Sequence, residues 1–523
     1  YSTCHCCHVM EEEFFEDPEI AAVLNEHFVS IKVDREERPD IDAMYMKAVQ
    51  VMTGSGGWPL SLFLTPQGKP FYGGTYFPPD DRWGRIGMKR LLRSIAATWD
   101  NDAAQIEDSV ARVSTVMEDM LSHEPRAGSE LSSGMIDRAF HRIALEFDEA
   151  YGGMGTQPKF PMPHVYRFLL HYFFRTDNGK ALLMAAETAR AIGRGGIYDH
   201  LNGGIHRYAV DTMWRVPHFE KMLYDQALAG RFFTDVYLVT DDDEFRTKAE
   251  GILDFVAGSL RDETGCFYSA LDADSAVSAA EPGQKREGAY YTWTAEQLAK
   301  VLSPDQREVF MYVYGIEKGG NTPSDPHGEF GAGNVLYQAR TCEEAADFMG
   351  LRTEDVCLRL AESREILRTE QQKRPLPHMD DKVLTDWNGL MIGAFAYASR
   401  VFPDKKYLDH AVTAADFVYD KMRGEDGTLM HRYREGEKKI PAFLNDYAFY
   451  LHGLLEIYGA TLEPEYVEKA ISVADDMIRL FWDSEKGGFY LNRETGGRIQ
   501  RLKELYDGAM PSGNAVAAQS LVR

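Results

Sequence analysis

Cysteine is scarce, with six residues in a chain of 523. That density excludes a disulfide-stapled scaffold, the device small secreted domains use in place of a core. Three of the six crowd together as Cys4, Cys6 and Cys7, while Cys266, Cys342 and Cys357 read as isolated buried or helical thiols. Such usage points to a reducing cytoplasm. Long apolar runs are also missing: none approaches the roughly 20 residues that cross a bilayer, and no charged, apolar, small-residue signal pattern opens the chain. Basic residues are the minority, 57 against 82 acidic, for a net charge of -25. An acidic surface repels nucleic acid and anionic membrane, and no basic run offsets it. Neither is expected as a partner. The first residue is Tyr1 rather than Met, so a preceding segment is expected and targeting stays open. No cofactor or metal is expected, and no oligomeric state is assigned.

What is present is the composition of a folded protein, 44% hydrophobic and 27% charged, at a length that needs two or more cores. The first hundred residues mix two periods. Val9 to His27 reads as a helix interrupted at Pro18, Phe28 to Asp34 alternates as a strand, and Asp40 to Thr53 is helical. Pro59 to Leu64 is a short strand, Pro66 to Pro70 carries turn residues, and Phe71 to Phe77 returns as β structure. Helix, strand, helix, hairpin is the order of the latter part of a thioredoxin-like fold. A strand ought to precede the cysteines, and only Tyr1-Ser2-Thr3 do, so the domain is expected to lack its opening strand and helix here.

Cys4 and Cys7 stand as C-x-x-C at a helix start, a spacing that places two sulfurs within disulfide reach. The helix N-terminus favours a thiolate on the first, exposed thiol, so Cys4 is expected to attack and Cys7 to resolve. Cys6 competes for the second role. A proline at a strand start should face the motif, and Trp58-Pro59 is placed for it, with a cis peptide bond expected between them. A zinc site built from Cys4, His5, Cys6, Cys7 and His8 is disfavoured, because neighbours on one helical turn do not converge on an ion.

From about Leu131 the pattern is helical, with amphipathic stretches near 133-147, 179-192, 217-238, 244-260, 353-369, 386-401, 405-422, 442-459 and 463-482. Between them recurs a glycine and aromatic phrase, at Asp148 to Gly153, Asp199 to Tyr208, Asp262 to Tyr268, Glu425 to Tyr433 and Asp483 to Tyr490. One helical hairpin per repeat predicts a closed ring of helix pairs, an all-α (α/α)6-type six-hairpin toroid. Segments 275-288 and 317-334 read as insertions. The expected division is a thioredoxin-like domain over 1-115 and a helical barrel over 130-523, with the boundary between Glu107 and Ser133.

Several long motifs go further. The Cys motif with His8-Val9-Met10, Gly56-Gly57-Trp58-Pro59-Leu60, Gly73 to Pro78, Gly196 to Asp199, Val216 to Asp225, Asp380 to Thr385, Trp387 to Leu390, Asp446 to Phe449 and Asp507-Gly508-Ala509 resemble the spermatogenesis-associated, DsbH-type thioredoxin family over nearly the whole chain. The resemblance implies a thioredoxin domain fused to a six-hairpin barrel similar to those of glycosidases and acylglucosamine epimerases. Cys6 stands where that family usually has Trp, and the last hairpin is expected to be incomplete after Arg523.

In a toroid the inner helix ends line one funnel, so polar residues in the turns are the natural ligand set. The densest run is Trp214 to Lys221 followed by Tyr224-Asp225; with a helix starting at Pro217, His218 and Glu220 would share its first turn. His378 to Lys382, leading to Asp386-Trp387-Asn388, is a second cluster, and Asn445-Asp446-Tyr447 a third. Glycoside hydrolysis needs two carboxyls with one kept protonated, for which Glu220, Asp225, Asp381, Asp386 and Asp446 are the pool. Epimerisation needs opposed acid/base groups, for which His218 and His378 are the pair. Asp199, Arg207, Trp214, Lys221, Tyr224, Lys382, Asp386, Trp387, Asn388 and Tyr447 are expected to contact substrate in the barrel, and Trp58 and Pro59 beside the cysteines. Asp272 and Asp274 have calcium-like spacing but lack the loop's following Gly and terminal Glu. The expectation is a thiol or disulfide substrate at one domain and a carbohydrate-like molecule at the other. Two other readings stay open: a sugar enzyme with an inert appendage, and a binding scaffold without turnover.

Overall fold

The computed structural model describes residues 1-82, 84-122, 132-322, 328, 330-403, 406-494 and 501-523. Parts of the expected boundary (123-131) and of the 317-334 insertion, and the first residue of the helix expected at 405, lie outside the described residues. The chain divides into two compact units, residues 1-130 with 490-503, and residues 131-489 with 504-523. Residues 490-503, expected in the helical part, cluster with the first unit.

The first unit runs α1 (His5–Met10), a π-helical turn (Glu11–Phe15), α2 (Pro18–His27), α3 (Pro39–Thr53), β1 (Ser61–Leu64), β2 (Pro70–Gly74), α4 (Met88–Asn101) and α5 (Ala103–Ser122). The break expected at Pro18 is a helix restart: Asp17 caps α2 by accepting from Glu19 and Ile20 N–H, with Pro18 at the first helical position. The strands form an antiparallel hairpin pairing Ser61 with Gly74. Residues 28-34, expected as a strand, form no strand among the described residues. Val29 and Ile31 are 91% and 77% exposed, so alternation alone did not secure a ladder. Met10, Phe14, Ile20, Phe71, Phe77, Leu91, Leu92 and Ile95 make the core.

The second unit contains α6 (Ser133–Glu146), α7 (Pro163–Thr176), α8 (Gly179–Arg194), β3 (Tyr208–Ala209), β4 (Pro217–His218), β5 (Lys221–Met222), α9 (Leu223–Thr240), α10 (Asp243–Phe255), β6 (Ala270–Leu271), β7 (Asp274–Ser278) and β8 (Glu281–Glu287). It continues through α11 (Ala295–Val301), α12 (Pro304–Val313), α13 (Cys342–Met349), α14 (Thr353–Gln371), β9 (Met379–Asp380), β10 (Val383–Leu384), α15 (Thr385–Ser399), α16 (Tyr407–Lys421), β11 (Met430–Arg434), β12 (Glu437–Pro441), α17 (Leu444–Thr461), α18 (Pro464–Phe481) and α19 (Gly513–Leu521). Helices α7, α9, α15, α17 and α19 pack each on the next as an inner row. The middle three are buried on nearly every face. Helices α8, α10, α16 and α18 lie outside with a single buried stripe, as alternating inner and outer helices of an α/α toroid require. Helices α11 to α14 build a separate core around Trp293, Leu298, Phe310, Val356 and Leu360.

The recurrent phrase has one geometry. Its ends close as single antiparallel bridges, Phe147 with Met154, Tyr198 with Ile205, Arg261 with Phe267, Arg423 with Leu429 and Trp482 with Phe489. Glycine is required inside: Gly203 sits at φ +77°, and a Cβ there would lie 2.1 Å from the Gly251 carbonyl oxygen. Four of the bridges are latched by the first turn of an inner helix. The Gln226, Asn388 and Asn514 amides each grip both backbone groups of Ile205, Phe267 and Phe489, and the Tyr447 hydroxyl accepts from Leu429 N–H. These contacts satisfy buried backbone groups and fix the starts of α9, α15, α17 and α19.

Candidate functional site

In the first unit Cys4 is the N-cap of α1, and its carbonyl accepts from the Cys7 and His8 N–H groups at 2.9 and 3.1 Å. A disulfide joins Cys4 to Cys7 with a Cα separation of 5.2 Å, and Cys6 is a free, half-buried thiol. The expected exposure order is reversed: Cys4 is only 5% exposed, whereas Cys7 is half-buried. The Trp58-Pro59 bond is cis. The Trp58 indole donates to Asp42 at 2.8 Å, and the Arg35 guanidinium lies 3.9 Å from the Trp58 ring centroid and 5.1 Å from that of Tyr1. Burial holds the Asp42 carboxyl above its usual range, against the pull of Arg35 and Trp58.

In the second unit the helix expected from Pro217 starts instead at Leu223. Pro217 and His218 form β4, paired with Tyr208-Ala209, and Lys221-Met222 pairs with Ala270-Leu271. Two short ladders therefore use the residues read as a first turn. His218 sits between carboxylates, its Nδ1 2.6 Å from Glu287 and its Nε2 3.2 Å from Glu220, with its ring stacked on Tyr208 at 4.9 Å. Burial disfavours the imidazolium, but the Glu287 and Glu220 charges outweigh it and hold His218 well above the ordinary imidazole range. Asp225, in the first turn of α9, pairs with Arg207 at 3.1 Å. Burial outweighs that cation and pushes the Asp225 carboxyl up to about 7. The Arg207 guanidinium lies over Phe160 and Tyr224, and Tyr224 meets Trp387 edge to face at 4.7 Å.

A second buried group gathers at the starts of α15 and α17. Both Asp446 oxygens lie 2.8 to 2.9 Å from His431 Nδ1, and they also accept from the Asp386 and Phe443 N–H groups. Asp386 is held above the carboxylate range by burial and by the Asp446 charge, partly opposed by His431. One polar atom from each of Asp386, His431 and Asp446 lies within 4.8 Å of the others, a spacing that also suits a cation, although N–H donors already engage both Asp446 oxygens.

Other expected ligand residues have internal duties. Asn388 and Tyr447 are the latches described above, and both are fully buried. Lys221 bonds Asp199 at 2.7 Å and the Gly203 carbonyl at 2.8 Å, while Asp199 also accepts from Leu201 and Asn202 N–H, all within one turn phrase. The Trp214 indole, 0% exposed, donates to the carbonyls of Tyr151 and Gly152. Lys382 pairs with buried Asp380 at 3.0 Å, and the partly exposed Asp381 pairs with Arg434 at 2.7 Å. His378 is exposed, and its carbonyl accepts from Asp272 N–H. Sequence reasoning missed Glu287 and His431. Glu287 closes a strand inside a segment read as an insertion; the usable signal was Gly288, where a Cβ would lie 2.5 Å from the Phe219 ring. His431 lies in the fourth turn phrase, 15 residues before Asp446.

The two units thus define a class: a thioredoxin-like domain with a C-x-x-C disulfide, followed by an α/α toroid in which the inner helices α9, α15 and α17 begin with buried acids. A family model described as Thioredox_DsbH, protein of unknown function, DUF255, matches residues 1-118. The chain is 39% identical to human spermatogenesis-associated protein 20 over 100% of its own length and 70% of that protein. The mouse protein of the same name is 38% identical over the same shares. The chain belongs to the spermatogenesis-associated protein 20 family. Among solved structures it is similar to a glycoside hydrolase family 76 mannosidase from Bacteroides thetaiotaomicron, at 12% identity and a TM-score of 0.43, covering 92% of this chain and 98% of that one. Among the described residues no helix is long and apolar enough to cross a membrane.

Proposed function

We propose that the first unit is a thiol–disulfide oxidoreductase and that the second binds a carbohydrate-like ligand. The observation that carries the first part is the Cys4–Cys7 disulfide across the opening turn of α1. Cys4, at the N-cap, bears the thiolate once the pair is reduced, and Cys7 is its partner in exchange. Pro59, at the foot of the β1 hairpin, is the backbone against which a substrate lies, with Trp58 held by Asp42 and Arg35. Cys7→Ser is expected to accumulate a mixed disulfide on Cys4 when offered a disulfide peptide, and Cys4→Ser to form none. Mass spectrometry of alkylated digests checks this; trapping through Cys7 alone would reverse the two roles.

A second reading, proton-transfer chemistry on that ligand in the toroid, is favoured by one pair of environments. Asp225 is pushed up to about 7 while His218, between Glu287 and Glu220, is held as a cation. Groups driven apart in this way are what acid–base chemistry at neutral pH requires. Phe160 and Tyr208 beside them, both partly exposed, supply aromatic faces for a sugar ring. With glycosides or reducing sugars as substrates, Asp225→Asn and His218→Gln should each lower kcat by about 10²- to 10⁴-fold while Cys4→Ser leaves it unchanged. Equal loss in Cys4→Ser would instead tie turnover to the cysteines.

A further inference from the structure

Arg215 belongs to the densest polar run of the sequence, yet neither site described above uses it. It lines a cleft of about 640 Å³ in the second unit, between the first turn phrase, helix α8 and residues 337-339. That is the size of a small-molecule site. Among the described residues the cleft shares no lining residue with the group around His218 and Asp225. The backbone is bent to place Arg215 there. Trp214, just before it, stands at φ +63°, a left-handed conformation rare for a bulky residue. Asp211 holds the bend, its carboxylate accepting from the Met213, Arg215 and Val216 N–H groups at 2.7, 3.2 and 2.7 Å. Gly196 allows the close passage, since a Cβ there would overlap the Arg215 carbonyl oxygen. Trp214 and Val216 are buried, and Arg215 between them is half-buried at the cleft wall. Backbone strain persists where the surroundings over-determine it, and it clusters at ligand sites.

The charges lining the cleft do not balance. Lys180 pairs with Glu149, Arg190 with Glu187, and Arg194 with Glu244. The Arg215 side chain has no ion pair or hydrogen bond among the described residues; its guanidinium lies over the Tyr337 ring, 4.7 Å from the centroid. Such stacking holds the planar fork and leaves its N–H groups for an acceptor. In a chain of net charge -25 this is a surplus cation on a concave wall, where it attracts small anions. Tyr151, Leu183 and Met213 add apolar surface to the same cleft.

We propose that this cleft is a further ligand site, for a small molecule that carries an oxyanion, a carboxylate or a phosphate ester, on an apolar body. Two oxygens of the ligand accept side by side from the Arg215 guanidinium, and its body lies against Tyr151, Leu183 and Met213. Both oxyanions match the guanidinium fork, so the shared chemistry defines the site and the experiment separates the two sources.

Ligand-observed NMR titrations of the full chain with benzoate, phenyl phosphate and benzamide test this, because the three share one ring and differ in the group it carries. Saturable binding of benzoate or phenyl phosphate is expected, with benzamide clearly weaker, and the tighter anion names the oxyanion class. Arg215→Gln should weaken anion binding by about tenfold or more, the loss of a charge-assisted pair. Arg207→Gln, which removes the cation beside Asp225, should retain it. No saturable binding of either anion, benzamide binding as tightly as the anions, or binding that depends on Arg207 rather than Arg215 overturns the proposal. The benzamide comparison uses wild-type protein alone and stands whatever the substitutions do to folding.

Discussion

Replacing Lys221 with methionine should lower the unfolding free energy of the second unit by about 3–5 kcal/mol, because it leaves a buried carboxylate without its cation. Lys221 is 1% exposed, and its ammonium reaches only inward, to Asp199 and the Gly203 carbonyl. The partners are unequally served. Asp199 is held well below the carboxylate range because, beyond the cost of burial, it has Lys221, the nearby His206 and two backbone N–H donors, whereas burial pushes Lys221 down despite Asp199. The lysine is therefore the member whose loss strands a charge. Asp199→Asn/Lys221→Met should recover most of the loss, since two neutral groups need no mutual compensation. Urea titrations of the single and double variants decide it; a single-variant loss below about 1 kcal/mol would mean that the turn phrase does not depend on this pair.

The second large effect is on pH. The Asp225 carboxyl titrates near 7 in the folded chain, against about 3.9 when unfolded. Its folded value is raised, so its contribution is fully present below about pH 4 and is lost as pH rises through about 7. The shift corresponds to about 4 kcal/mol across that window. Asp386 acts with the same sign, because burial and Asp446 raise it too. Asp225→Asn should flatten stability between pH 4 and 7. From about pH 7 upward, where the carboxyl is ionised, it should also cost stability, because Arg207 loses its ion pair. Denaturant midpoints across that range test both parts, and an unchanged slope in the variant would show that Asp225 is not the titrating group.

Much of the scaffold was legible because local chemistry and tertiary packing agree there. The restart at Pro18 and the five turn phrases follow from a cap, proline and glycine, whose effects are felt within a few residues. Asp386 and Asp446 were both in the pool of candidate carboxyls, and both belong to one buried group. His218 was legible as a residue but not as a strand: its state depends on a ladder with Tyr208-Ala209, a partner about ten residues away that no periodicity identifies.

The same division holds at a longer range. Composition and spacing determined by themselves that the chain has two architectures, that it carries a C-x-x-C at a helix start, and that glycine turns alternate with helices, since those properties depend on residue type and near neighbours. Only the tertiary structure decided which polar residues are latches and which are paired acids and bases, as with Asn388 beside Asp386 on the same helical turn. It alone brought Glu287 to His218, 69 residues apart. Such contacts are made by packing between helices and by strand pairing, and the free energy that selects them is spread over apolar surface that carries no mark at the residues it brings together.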